Sequence, residues 1–150
     1  MNLRPIGRLE TPFATLQDCP RNGRQLDPAP ECRALVDTRF QPALASLDGF
    51  SHLILLYWLG PQSDDLTIKP PFDGALRGVF ATRAPLRPNP IGLSVVAFDG
   101  FSGPGELRVR YLDCRHGTPL LDIKPYLPST DAEPAADMGW LAPHRTERPC

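Results

Sequence analysis

Apolar positions along the chain fall into short runs separated by proline- and glycine-rich stretches, and their spacing predicts strands. The densest run, Ser51 to Leu59, is almost continuously apolar. Its length suits a strand buried on both faces better than a helix. Glu106 to Asp113 alternates, with Leu107, Val109 and Tyr111 on one face and Arg108 and Arg110 on the other. That pattern predicts a half-exposed antiparallel strand. Cys32 to Phe40 alternates through Cys32, Ala34 and Val36 and predicts another. Leu3 to Thr11 carries Ile6 and Leu9 among polar residues and predicts a short first strand, stopped by Pro12. Leu120, Leu121 and Ile123 begin a last one, which Pro125 ends. Gln41 to Leu47, with Pro42 at a helix-start position, predicts one or two helical turns before Asp48-Gly49. Phe13 to Pro30 and Gly60 to Gly74 predict long polar loops, and Asp99 to Gly105 a hairpin loop. Six or seven short strands with little helix predict a mainly β protein, a small closed antiparallel barrel, because closure removes exposed strand edges. No βαβ alternation is present. Gly103-Pro104-Gly105 lacks the third glycine and the following helix of a dinucleotide loop, which argues against a Rossmann site.

The stretch from Gly78 to Ser94 departs from this simple pattern. A strand-like run (Val79, Phe80, Ala81) leads into Arg83 and Arg87, set among Pro85, Pro88 and Pro90. A second apolar run (Leu93, Val95, Val96, Ala97, Phe98) leaves it. The two arginines have helical spacing, but the prolines remove the amides a helix needs. Ala84, Arg87 and Asn89 each precede a proline and are pushed toward extended conformations. Such a loop loses less entropy than usual on ordering. It presents two guanidinium forks and an amide in fixed positions, which makes Arg83, Arg87 and Asn89 candidate binding residues. The plainer alternative is a stiff barrel corner with solvated arginines.

Composition narrows the class. At 150 residues the chain is one ordinary domain. Residues 1–127 are read as the barrel, and 128–150 as a proline-rich strap or tail of the same domain. Met138, Trp140 and Leu141 are the strap's possible anchors, and its last few residues are expected to fray. A formal net charge of −1 gives no global attraction to nucleic acid or an anionic membrane. Fourteen of the sixteen basic residues are arginine, the side chain suited to bidentate recognition of carboxylate and phosphate, although a codon bias toward arginine would give the same count. Cys19, Cys32, Cys114 and Cys150 have no C-x-x-C spacing, and His52, His116 and His144 are scattered. No metal site is expected, and the thiols are read as free in a reducing compartment. No apolar leader or bilayer-length run is present, so the expectation is a cytoplasmic protein.

A second polar cluster runs from Leu112 to Tyr126. Asp122 and Lys124 are two apart and share one strand face, where they can pair with each other or form the polar end of a pocket. In the second case backbone amides beside Gly117 and Thr118 would face a ligand. Cys114 and His116 invite a thiol–imidazole reading, but no third group orients them. Asp64-Asp65 lies in a polar loop and reads as a solvated pair.

Taken together, these stretches resemble a known family. Gly78-Val79-Phe80-Ala81-Thr82-Arg83 with Arg87-Pro88-Asn89-Pro90-Ile91-Gly92 is similar to one signature of the TrmO/TsaA-like (YaeB) family. Asp113, Gly117-Thr118-Pro119 and Asp122-Ile123-Lys124-Pro125-Tyr126 are similar to its second. Ile6-Gly7, Thr11-Pro12-Phe13, Cys19-Pro20-Arg21-Asn22-Gly23 and Phe50-Ser51-His52-Leu53 also fall where that family has counterparts. The resemblance runs in order from about residue 5 to residue 128.

The resemblance implies a β-barrel methyltransferase that uses S-adenosyl-L-methionine and methylates N6 of threonylcarbamoyl-adenosine beside the tRNA anticodon. It implies a homodimer with the cofactor near the subunit boundary. Carried over by position, the implied cofactor contacts are Arg21, Asn22, Gly60, Pro61, Arg83, Leu93, and Asp122, Ile123, Lys124 and Pro125. Arg87 and Asn89 would meet the substrate. A sulfonium methyl is already activated, so in-line attack by nitrogen needs positioning more than a metal. If a base accepts the departing proton, Asp122 or Asp113 is the candidate. Gly60-Pro61 and Arg115-His116 depart from the family's usual residues, and longer members continue into an extension expected to help hold tRNA. Two other functions are weighed. One is a cofactor-binding barrel with a different acceptor or none. The other is a single-stranded RNA binder using stacking aromatics, which the core-like placement of most aromatics disfavours.

Overall fold

The computed structural model describes residues 1–144. Six strands close into an antiparallel barrel: β1 (Gly7–Glu10), β2 (Cys32–Val36), β3 (His52–Trp58), β6 (Ile91–Gly103), β7 (Glu106–Arg110) and β8 (Thr118–Pro125). The order around the barrel is β1-β2-β7-β6-β3-β8. Two short strands, β4 (Thr67–Ile68) and β5 (Arg77–Gly78), pair with each other inside the connection between β3 and β6. The predicted barrel class is therefore the observed one.

Period-two alternation fills the interior. Leu9, Ala34, Leu53, Leu55, Val96, Leu107, Val109 and Leu120 are fully buried. Each such aliphatic side chain larger than alanine contributes about 1.5–3 kcal/mol relative to exposure. In β3 the inward set is Leu53, Leu55 and Tyr57, while Ile54, Leu56 and Trp58 point outward and are half-buried. The reading of this run as buried on both faces is thus corrected: one face packs in the core, and the other is an apolar patch on the barrel's outside.

Several boundaries also shift. β2 stops at Val36, and a 3-10 segment, Thr38–Leu44, takes the place of both the predicted strand end and the helical turns. Val79–Ala81 is a 3-10 turn, not a strand. The Thr82 hydroxyl and amide both bond to the Val79 carbonyl, which closes the turn. β7 ends at Arg110 because Tyr111 has φ +79°, incompatible with a continuing strand. The hairpin to β7 turns at Pro104-Gly105, and β6 runs on past Asp99 through a bulge around Gly100.

Beyond β8 the described chain crosses back as a strap. Trp140 donates from Nε1 to the Ala81 carbonyl at 2.9 Å and stacks on Phe72, with the Arg77 guanidinium 4.6 Å from its ring centre. Asp73 accepts from Arg77 Nε at 2.7 Å, and its second oxygen lies 3.0 Å from His144 Nε2. Trp140 is thus the anchor among the three apolar candidates, whereas Met138 is exposed. The expected fraying of the last few residues, and Cys150, lie outside the described residues.

Arg77, and then His144, hold the Asp73 carboxyl below its usual value of 3.8. A carboxyl depressed in the folded state stabilises above its unfolded value and loses that contribution as pH falls through the folded value. In a Trp58→Phe background, Trp140 emission should stay constant from neutral pH down to about 4. Below that it should shift to the red as the strap loosens. A transition centred above pH 5 would remove Asp73 from this role.

Candidate functional site

Strand direction collects three connections at one end of the barrel: residues 11–31, 59–90 and 111–117. Arg21, Asn22, Gly60, Pro61, Arg83, Arg87, Asn89 and Asp113 all lie on them. Sequence distances of up to 92 positions are closed by barrel topology alone.

The proline loop is held from within. Arg87 Nη1 donates to the Thr82 carbonyl at 2.9 Å and the Ala84 carbonyl at 3.3 Å, so part of its fork is spent on closing the loop. The segment following Gly60-Pro61 is tied to the same loop through Gln62 Nε2 on the Pro88 carbonyl (2.9 Å) and the Ser63 amide on the Arg87 carbonyl (3.0 Å). Asn89 is exposed. Arg83 is also exposed and makes one hydrogen bond, from Nη2 to the Leu93 carbonyl at 3.2 Å. It has no ion pair among the described residues. The remaining guanidinium donors of Arg83 are available to a ligand carboxylate or phosphate.

Beneath this rim lies a buried polar cluster that the sequence did not announce. The Tyr57 ring plugs the barrel end at 2% exposure. Its hydroxyl donates to Asp113 Oδ1 at 2.9 Å and lies 2.8 Å from Ser94 Oγ. Gly92 makes room for the ring, since a Cβ there would stand 2.2 Å from Tyr57 Cε2. Burial pushes the Asp113 carboxyl up from its ordinary value, opposed by the Tyr57 hydrogen bond and by the positive charge of Arg83. Tyr57 sits inside an apolar run, so no local pattern marks it. Gly92, at the head of a strand, is the one available signal.

On the outside of the barrel the cross-strand register builds a row. Leu93 in β6 opposes Leu56 in β3, and Leu56 opposes Asp122 in β8. Asp122 is therefore two strand spacings, about 10 Å, from the strand position whose carbonyl holds Arg83. The next row is Val95, Ile54 and Lys124. Asp122 and Lys124 are paired, Oδ2 to Nζ 2.7 Å, as their shared face allowed. Which face they occupy is set by a β-bulge. The register shifts between Leu56 and Tyr57, so Leu121 has no partner position of its own. That extra residue rephases the strand: Leu120 and Ile123 both pack inward, three apart, and Asp122 turns outward. Ile123 is thus a core contact and Pro125 closes the strand opposite Leu53.

These groups form an open surface. Of two cavities at this end of the molecule, one of about 350 Å³ is lined by residues including Arg24, Arg110 and Tyr111, and another of about 290 Å³ by residues including Glu10, Glu31 and His116. Neither includes Arg83 or Asp122. The amides of Gly117 and Thr118, expected to face a ligand, bond instead to the Leu9 and Arg115 carbonyls. Cys114 is buried, and burial pushes its thiol up to about 12, while His116 Nδ1 lies 3.1 Å from the Thr11 carbonyl. No thiol–imidazole pair exists there. Cys19 and Cys32 are free thiols as well. Asp64 and Asp65 are exposed, as their loop suggested.

Comparison with known proteins gives a consistent answer. The family model for the tRNA-methyltransferase O N-terminal domain matches residues 8–132. An S-adenosyl-L-methionine-binding protein of Archaeoglobus fulgidus is 43% identical over 132 residues, covering 87% of this chain and 93% of that protein. The human tRNA (adenine(37)-N6)-methyltransferase is 35% identical over 145 residues, 89% of this chain and 33% of that protein. A crystal structure of TrmO from Pseudomonas aeruginosa is similar with a TM-score of 0.74 at 35% identity, covering 93% of this chain and 62% of that one. The chain thus spans nearly all of the archaeal relative, about a third of the human protein and less than two thirds of the Pseudomonas structure.

Proposed function

The chain belongs to the tRNA-methyltransferase O N-terminal domain family, and from that premise we propose that it transfers the methyl group of S-adenosyl-L-methionine to N6 of threonylcarbamoyl-adenosine at position 37 of tRNA. The observation that carries the reading is the joined surface of Arg83, Leu93, Leu56 and Asp122, on which the family's two signature stretches meet.

The donor set suits this cofactor. Arg83 offers unspent donors to an amino-acid carboxylate. Leu56, Leu93 and Trp58 offer apolar surface to an adenine ring, and Asp122 offers negative charge beside a positive sulfur. The cofactor supplies a methyl group already activated by its sulfonium. The protein's part is to hold donor and acceptor in line, for which Arg21, Asn22, Gly60 and Pro61 extend the cofactor surface and Arg87 and Asn89 face the acceptor. Asp122, outward and half-exposed though paired with Lys124, is more accessible as a proton acceptor than the part-buried Asp113.

An open site needs a cover, and the molecule carries a matching surface. Ile91 and Leu93, at 42% and 45% exposed, continue the outward apolar patch of Ile54, Leu56 and Trp58. A patch of this kind marks an association surface. The active form is therefore read as a homodimer that packs these faces together around the cofactor, working in the cytoplasm. Sedimentation velocity gives the assembly directly.

A second reading is supported by the archaeal relative of similar length, which is named only for binding the cofactor. In that reading the barrel keeps the cofactor and uses another acceptor or none. Incubation with tRNA carrying threonylcarbamoyl-adenosine and methyl-labelled cofactor, followed by nucleoside mass spectrometry, separates the two. Labelled product is the expected result. Cofactor binding without RNA labelling selects the second reading, and no cofactor binding ends both.

A further inference from the structure

We propose that Phe80 is the platform on which the acceptor purine of the RNA stacks, with the Arg87 guanidinium beside it. The inference rests on the reading of the chain as an RNA methyltransferase. It names the side chain that receives the base.

Phe80 is 76% exposed, more than any other aromatic side chain among the described residues. Its placement is set by the turn that carries it. Val79 is buried at 2% exposure, and its amide donates to the Leu66 carbonyl at 2.9 Å. Thr82 closes the 3-10 turn, its amide (3.1 Å) and its hydroxyl (2.8 Å) both on the Val79 carbonyl. Trp140 of the strap donates to the Ala81 carbonyl at 2.9 Å and is itself stacked on Phe72. With both flanks tied, the residue between Val79 and Ala81 is held outward. An apolar ring pinned in water forgoes the burial that drives folding, which points to a partner that covers it.

The neighbouring charges say what that partner is. The Arg87 guanidinium carbon lies 5.8 Å from the centre of the Phe80 ring, and Nη1 is fixed by the Thr82 and Ala84 carbonyls. Its Nε and Nη2 make no hydrogen bond among the described residues. Arg83 follows Phe80 by three residues, at most about 11 Å along the chain. A flat ring beside guanidinium groups suits a nucleotide, whose base stacks while the cations take its phosphate. A second copy of the chain fits less well. A two-fold contact centred here would set Arg83 and Arg87 against their own copies, a conflict that the uncharged face of Ile54, Leu56 and Trp58 avoids. Enzymes that act on a base take it out of its stack, and an aromatic side chain replaces the neighbour it loses. Because Arg83 is assigned to the cofactor, a base on Phe80 is brought beside the methyl donor.

The test uses the full chain with Phe80→Ala, Phe80→Leu and Phe80→Trp. An anticodon stem-loop RNA carrying threonylcarbamoyl-adenosine at position 37 is titrated by fluorescence anisotropy, beside the same RNA with an abasic site there. Cofactor affinity is read by calorimetry and assembly by sedimentation velocity. Phe80→Ala is expected to weaken binding of the intact RNA by roughly 10- to 100-fold. Its binding of the abasic RNA, its cofactor affinity and its assembly should match the parent. Phe80→Leu, apolar but not flat, should lose nearly as much as alanine, and Phe80→Trp should bind as the parent does. Equal losses on the intact and abasic RNAs overturn the platform, as does full affinity in the leucine variant. A changed assembly state in Phe80→Ala overturns it too, by making Phe80 a subunit contact. Parent-like binding of the intact RNA by Phe80→Ala ends the platform alone. If the unaltered protein binds cofactor but neither RNA, the acceptor reading itself fails and the platform falls with it.

Discussion

Arg83→Ala should lose roughly 10- to 100-fold in affinity for S-adenosyl-L-methionine while melting at nearly the same temperature as the parent. The two halves of this expectation come from the same geometry. Arg83 is exposed, and its one hydrogen bond among the described residues is the 3.2 Å contact to the Leu93 carbonyl. Losing an exposed contact of that kind costs at most a few tenths of a kcal/mol of stability. A guanidinium-to-carboxylate interaction, by contrast, is worth about 1.5–3 kcal/mol where it is well made. Arg83→Lys should recover part of the loss, because it restores the charge and not the planar fork. Calorimetric titration beside a thermal melt reads both quantities. An alanine variant that binds as tightly as the parent would take Arg83 out of the site.

Gly92→Ala should be strongly destabilising. The new Cβ would lie 2.2, 2.6 and 2.7 Å from three atoms of the Tyr57 ring. That ring has nowhere to go, being buried in the barrel with its hydroxyl bound to Asp113 and Ser94. Overpacking of this kind costs about 1–3 kcal/mol. Pulling the hydroxyl off its partners strands buried polar groups at about 1–3 kcal/mol more. A combined loss of roughly 2–6 kcal/mol corresponds to a fall in melting temperature of the order of 10 °C for a domain of this size. The clash is specific, so Tyr57→Leu should be far less harmful in the Gly92→Ala background than alone. Two strictly additive losses would show that the glycine and the ring do not compete for the same space.

The sequence made the barrel legible because the inward residues of each strand repeat every second position. Leu107 and Val109, or Cys32, Ala34 and Val36, are buried as their alternation implies. It was less clear where strands end, since turn geometry decides that. Tyr111 continues the alternation of β7 on paper, yet its positive φ breaks the strand. Val79 and Phe80 look like strand residues, yet a hydrogen bond from Thr82 folds them into a turn. For the site, the motifs picked out the rim residues, whose charge and proline content are visible locally. The support beneath them was not visible. Tyr57 reads as one more apolar residue in its run, and its pairing with Asp113 spans 56 positions. The outward placement of Asp122 was equally hidden, because alternation counted from Leu120 points it into the core.

That last point bears on how this protein tolerates change. Leu121 is half-buried and has no partner position opposite β3, so exchanging it for other side chains should register as nearly silent in a saturation scan. Its removal is a different event. A strand shortened by one residue would lose the bulge and pair Leu120, Asp122 and Ile123 without interruption against Tyr57, Leu56 and Leu55, leaving the carboxylate outward and the isoleucine inward. Leu121 is a spacer between two inward residues, and an inventory of side-chain identities would overlook it.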